Sequence, residues 1–131
     1  MYKRQNRYRA IARANTILEH LNDVQEDIMS SSEKENLRAE ALFVRASCYA
    51  TLVTLYGDVP LVTTSIDIDE AFNIGRTAKD EIVQQIYNDY NEAIAILPIS
   101  TGQVQRATKG AALALKARFA CLLYTSPSPR D

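Results

Sequence analysis

The feature that most restricts this chain is a long helix with two apolar faces, running from Leu37 to Tyr56 and straight into Gly57-Asp58-Val59-Pro60. Leu37, Ala41, Val44, Cys48, Leu52 and Leu55 form one stripe at spacings of three and four. Ala39, Phe43, Ala46, Ala50 and Val53 form a second stripe, rotated away from the first. A helix that must bury two faces needs two neighbours and therefore sits centrally in an all-α stack. Gly57 can take a positive φ to close the helix, and Pro60 cannot continue one, so the chain must leave extended through residues 59–62.

Four helices come as two hairpins. The first helix is expected from about Asn6 to Asp27, with Tyr8, Ile11, Ala14 or Asn15, Leu18 and Leu21 inside and Arg9, Arg13 and Glu19 or His20 outside. Ser32 with Glu35 three residues later has capping-box spacing and is expected to open the central helix. From Leu61 to Arg76 the pattern dissolves into a loop of more than a dozen residues, long enough to lie over a larger body. Thr77 is expected to cap the third helix, with Asp80 suited to its positive end. Ile82, Ile86, Tyr90 or Asp89, Ala93 and Leu97 are its inner face, and Pro98 stops it. Thr108 opens the fourth helix, in which Gly110, Ala111, Ala112 and Ala114 are expected to let a neighbour approach closely. Two such antiparallel pairs resemble a tetratricopeptide-like stack, although the spacing is irregular and the usual repeat signature is not matched.

The termini read differently. Back-translated, Tyr2-Lys-Arg-Gln5 as TAT AAG AGA CAG and Cys121-Leu-Leu-Tyr124 as TGT CTC TTA TAC are reverse complements over nearly their whole length. That relation predicts a library adapter at both ends, so residues 1–5 and 121–131 are expected to be adapter-derived and 6–120 to be an incomplete helical region. Removing those stretches takes Lys3, Arg4 and Arg130 from 15 basic residues and Asp131 from 16 acidic ones, leaving a net charge of −3. The scattered Arg7, Arg9, Arg13, Arg38 and Arg45 do not make the basic stripe that nucleic acid requires. No run of about 18 apolar residues reads as a membrane span.

Candidates for chemistry are few. Cys48 lies in an apolar stripe and reads as a packed thiol; the lone His20 is on another helix and cannot be assigned as its base. Asp67, Asp69 and Glu70 lack the glycine and distal glutamate of a calcium loop and read as a solvated acidic loop. Tyr49, Tyr56, Tyr87 and Tyr90 could stack on sugars, but their helical spacing points to burial, each with a hydroxyl partner. Arg38, Arg45 and Glu40 read as helix-surface ion pairs, and Arg106 as a fastening of the fourth helix to a nearby acid. No residue is assigned to catalysis, a cofactor or a metal, and no ligand-binding residue is nominated.

Six blocks in order carry a family resemblance: Tyr8-x-x-Ile-x-x-Ala-Asn15; Ala39-Glu-Ala-Leu-Phe-x-Arg-Ala46 with Tyr49 and Leu52; Tyr56-Gly-Asp-Val-Pro-Leu-Val62; Arg76-Thr77; Ile86-x-x-Asp-x-x-x-Ala93 ending in Leu97-Pro98; and Arg106-Ala-Thr-Lys-Gly-Ala-Ala112 with Ala117-Arg118. Together they resemble the SusD/RagB family of nutrient-binding outer-membrane lipoproteins. The departures are Cys48, where a bulkier residue is common, and the lack of a leader with a lipid-bearing cysteine. The resemblance implies a helical scaffold that faces a TonB-dependent (SusC-like) transporter, anchored by lipid at the extracellular face of the outer membrane. It also implies that glycan or another nutrient is held mainly outside this segment and that no bond is made or broken. The alternative from the helical pattern alone is an intracellular helical-repeat adaptor that binds a peptide between its hairpins.

Overall fold

The computed structural model describes residues 2–66, 68–103 and 105–125. The order is α1 (Tyr2–His20), a 3-10 turn (Leu21–Asp23), α2 (Ser31–Tyr56), α3 (Ile68–Asn73), α4 (Lys79–Ile96) and α5 (Lys109–Thr125). This is the expected all-α arrangement of two hairpins, α1 with α2 and α4 with α5. The longer connection between them carries the short α3. α1 and α5 continue without a break through residues 2–5 and 121–125. Asp67 and residues 126–131 lie outside the described residues.

α2 packs between α1 and α4 and also touches α5, the central place that its two apolar faces require. The main core joins Tyr8 and Ile11 of α1, Tyr49, Leu52 and Val53 of α2, Val59 and Val62 of the extended passage, Ile82, Ile86 and Tyr90 of α4, and Phe119 of α5. A smaller cluster of Ala39, Leu42, Ala93, Leu97 and Ala112 fills the other end of the stack. A further row of α2, Leu42, Arg45, Tyr49 and Leu52, is buried throughout. Only Leu52 of that row belongs to either stripe, because an arginine interrupts it. Val44 and Leu55, counted in the first stripe, are 40% and 59% exposed.

Several helix ends differ from expectation for identifiable reasons. α1 ends at His20 and not near Asp27, because the chain tightens into the 3-10 turn that buries Leu21 and starts the reversal toward α2. The cap of α2 is Ser30, whose Oγ accepts from Glu33 N at 3.2 Å, two residues before the expected Ser32. Ala78 stands at the α4 cap with no side-chain hydrogen bond, and the first amide, Lys79 N, donates instead to Asp58 Oδ1 at 2.9 Å. The aspartate of the Gly57-Asp58 stop thus opens the next long helix.

Thr77 is occupied elsewhere. Its amide donates to Val59 O at 2.9 Å, and its Oγ1 accepts from Leu61 N at 3.2 Å, pinning the extended passage. Gly57 has φ 72° with its amide donating to Val53 O, as a helix-closing glycine should. Thr108 does open α5, its Oγ1 accepting from Ala111 N at 3.2 Å. Of the small residues beyond it, however, only Ala112 is buried; Gly110 and Ala114 face outward. A side-chain carbon at Gly110 would meet nothing nearer than Thr108 Oγ1 at 4.0 Å, so close helix approach is not what Gly110 provides.

Candidate functional site

The chemistry of this molecule is concentrated where α1, α2 and α4 meet the extended passage. Arg45 projects from the buried row of α2, and Asp89 lies one turn beyond Gln85 on the inner face of α4. The Arg45 fork donates through Nε to Asp89 Oδ2 at 2.7 Å and through Nη2 to Oδ1 at 2.8 Å. Its remaining nitrogen, Nη1, donates to Asn15 Oδ1 at 3.0 Å. Asn15 then donates from Nδ2 to Val62 O at 3.0 Å and Thr64 O at 3.2 Å. Gln85 Nε2 adds a bond to Asp89 Oδ1 at 2.9 Å.

Two phenols complete the arrangement. Tyr8 donates to Pro60 O at 2.6 Å, while Tyr49 accepts from Val62 N at 2.6 Å and donates toward Val62 O at 3.2 Å. Their rings meet edge to face at 6.0 Å. Pro60 has no N–H to offer, and its carbonyl, like the polar groups of Val62, has no sheet to enter. The side chains therefore satisfy a buried backbone that would otherwise be costly. Among the described residues no buried side-chain nitrogen or oxygen is left without a partner.

These contacts decide what the arrangement can do. Both Asp89 oxygens are held by the Arg45 guanidinium, which favours the charged carboxylate and commits it to an ion pair with no substrate-facing role of its own. It is a fastening: it fixes residues 60–64 and so sets where the following loop leaves the helical body. Glu19 extends the hold by accepting from Ser65 N at 2.6 Å.

Burial pushes the phenols of Tyr8 and Tyr49 well above their ordinary range, and for Tyr90 the same cause acts in the same direction. The folded chain therefore holds these protons more tightly than the unfolded chain. Their contribution is fully present below the unfolded tyrosine pKa of about 10 and is lost as pH rises above it. Denaturation midpoints are expected to stay level up to about pH 10 and then to fall. Tyrosinate absorbance of the buried rings should appear only with unfolding; early ionisation without loss of helix would contradict the burial.

The sequence candidates fall into place unevenly. Tyr49 and Tyr90 are buried with hydroxyl partners, Tyr90 meeting Ser47 Oγ at 3.0 Å, and Tyr87 packs against Phe119. Tyr56 departs from the expected burial: it is 41% exposed at the end of α2, with Arg4 5.9 Å from its ring centre. Cys48 is buried as a packed thiol, and burial pushes its pKa up against a smaller opposing effect of Arg7. Asp69 and Glu70 are exposed in the first turn of α3.

The surface reading holds for Arg38, which reaches Glu92 at 2.7 Å and Glu35 at 3.4 Å. It fails for Arg45, which lies between the two apolar stripes of α2 and is buried against Asp89 of the facing helix. Glu40 pairs instead with Arg106, whose Nε lies 2.9 Å from Oε2, the fastening of the fourth helix expected from Arg106. Opposite charges on the inner faces of two adjacent helices, Arg45 and Asp89, were the signal for the network.

Among the described residues no group of three or more His, Cys, Asp or Glu could hold a metal, and no helix is long and apolar enough to cross a membrane. The openings are shallow grooves, one of about 280 Å³ between α2 and α5 over Thr51, Leu55, Leu115 and Phe119.

Comparison with known proteins gives this architecture a family. Residues 2–121 match the family described as "Starch-binding associating with outer membrane", whose members are SusD-like. The chain belongs to the SusD-like family. A SusD-like protein of Formosa agariphila is 35% identical over 86 residues, which are 66% of this chain and 16% of that protein. A SusD-like carbohydrate-binding protein of Bacteroides fragilis superimposes with a TM-score of 0.79 at 32% identity, over 92% of this chain and 23% of its own. A laminarin-binding SusD-like protein gives 0.76 at 33% identity, over 88% of this chain and 25% of its own. This SusD-like chain thus spans a quarter or less of the length of these relatives.

Proposed function

We propose that this chain is the helical scaffold of a cell-surface glycan-binding lipoprotein that passes its ligand to a TonB-dependent outer-membrane transporter. The observation that carries the reading is the family match over residues 2–121, together with the superposition of 92% of the chain on a SusD-like carbohydrate-binding protein. Capture is by equilibrium binding, with no bond made or broken and no cofactor. The sugar contacts lie mainly outside this segment, and the scaffold's part is to hold loops in place and to face the transporter.

The buried network agrees with that division. Arg45, Asp89 and Asn15 bond to one another and to the backbone of residues 62–64, which suits a scaffold. The complete polypeptide encoded at the locus tests the reading directly. It is expected to carry a signal sequence ending in a lipid-bearing cysteine, to bind oligosaccharide in calorimetric titration, and to co-purify with a transporter encoded beside it. A cytosolic start, with peptide binding and indifference to glycans, would favour the adaptor alternative and overturn the proposal.

A further inference from the structure

A second surface has its own chemistry, separate from the network. Along the outer side of the first hairpin runs an open apolar groove of about 230 Å³. α1 contributes Ala10, Ala14 and Ile17 to it, and α2 contributes Leu37, Ala41 and Val44. Each set has the spacing of one helix face, so the two antiparallel helices present parallel apolar rows. Ile17 and Val44 are 36% and 40% exposed, although both are large aliphatic residues. Ala10 also lines a neighbouring opening with Asn6, Arg7 and Cys48, which extends the groove along α1. From Asn6 to Ile17 the trough is about 16 Å long, at 1.5 Å per residue, or roughly three helical turns.

The charge that α1 brings beside the groove is of one sign. Between Asn6 and Leu18, α1 carries Arg7, Arg9 and Arg13 and no acid, in a chain whose net charge is −1. Arg9 and Arg13 are exposed and form no ion pair among the described residues, and Arg7 shares an opening with Cys48. Arg13 lines the groove itself. The one acid on the lining, Glu40, is already held by Arg106, so its charge does not balance the arginines.

We propose that this groove receives an acidic amphipathic helix of a partner protein. Aliphatic side chains at i, i+3, i+4 and i+7 would settle between the two rows, and carboxylates on its flank would meet Arg13 and Arg9. A straight trough between antiparallel helices favours a third helix over an extended strand, which would leave its backbone unpaired against apolar walls. Positive charge on one rim selects the sign of the facing flank of the incoming helix.

The probe is a synthetic 18-residue helical peptide with leucines on one face and glutamates on its flanks, titrated by fluorescence anisotropy against the complete polypeptide encoded by the gene. A control peptide has lysines in place of the glutamates. The glutamate peptide is expected to bind at least tenfold more tightly than the lysine peptide, with affinity falling as salt is raised. Val44→Glu should abolish binding. Arg13→Glu should weaken the glutamate peptide about tenfold and admit the lysine peptide, a reversal that misfolding cannot produce.

Equal binding of both peptides, or binding unaffected by Val44→Glu, would overturn the proposal. So would binding to the 131-residue chain but not to the complete polypeptide, since the groove would then be covered by the protein's own remaining residues. Glycan titration of the same samples reads the proposed function separately, so failure of either idea leaves the other distinguishable.

Discussion

Replacing Asp89 with alanine is expected to destabilise the chain by about 3–5 kcal/mol, because removing one partner strands a buried charge. Arg45 is 7% exposed and Asp89 2%, so the guanidinium left behind would have Asn15 as its neighbour and almost no water. A loss of that size is a large fraction of what a small domain has in total. Arg45→Lys should also be poorly tolerated, since an ammonium cannot reproduce the two parallel bonds of the fork. The informative companion is the double variant Arg45→Met with Asp89→Leu. With both charges gone, the desolvation penalty goes with them, and part of the single-variant loss should be recovered, the remainder being the cost of Asn15 Oδ1 left without its donor. Urea denaturation gives the comparison, provided that the slope with denaturant is unchanged. A cost below about 1 kcal/mol for Asp89→Ala would mean that the pair behaves as a surface ion pair in solution.

The same pair shows which parts of the molecule could be read in the sequence. Positions filled by aliphatic side chains at helical spacing were legible: Ile82, Ile86, Ala93 and Leu97 predicted the inner face of α4, and all are buried. The stop at Gly57 and Pro60 was legible because backbone chemistry, not packing, dictates it. Arg45 was misplaced because residue type alone favours the surface for an arginine, and only a partner on another helix reverses that preference. Asp89 lies 44 residues away, and no local pattern measures that distance.

Capping failed for a related reason. Ser30 and Ser32 both offer a hydroxyl with a glutamate three residues on, and tertiary packing chooses between them. At α4 the cap comes from Asp58, on the far side of the long connection, which no reading confined to residues near Thr77 could supply. The resemblance named the family from six separated blocks, and several of them are the network's own residues. Asn15, Arg45, Tyr49, Pro60, Val62 and Asp89 belong to four of the blocks and to one set of hydrogen bonds.

Tyr49→Ala is the second large effect, expected to cost about 3–5 kcal/mol, the range for deleting a buried aromatic ring. Tyr49 has no exposed surface, packs edge to face on Tyr8, and holds both polar groups of Val62. Tyr49→Phe separates the two contributions. The ring stays, so the core keeps its volume, but the Val62 amide loses its acceptor inside the protein. That loss should cost about 1–3 kcal/mol, the penalty for an unsatisfied buried group. The location of the damage is as diagnostic as its size. In the phenylalanine variant, hydrogen exchange at Leu61 and Val62, the bonded amides of the passage, should accelerate while the amides of α2 and α4 stay protected, because local opening of the extended passage then requires no global unfolding. Uniform acceleration across all helices would show that the passage is part of one cooperative core. Exchange confined to residues 60–65 would show that Tyr49 sets the position of the loop that leaves the scaffold there. In a SusD-like protein, changing that position would move whatever the loop presents without altering the helical stack beneath it.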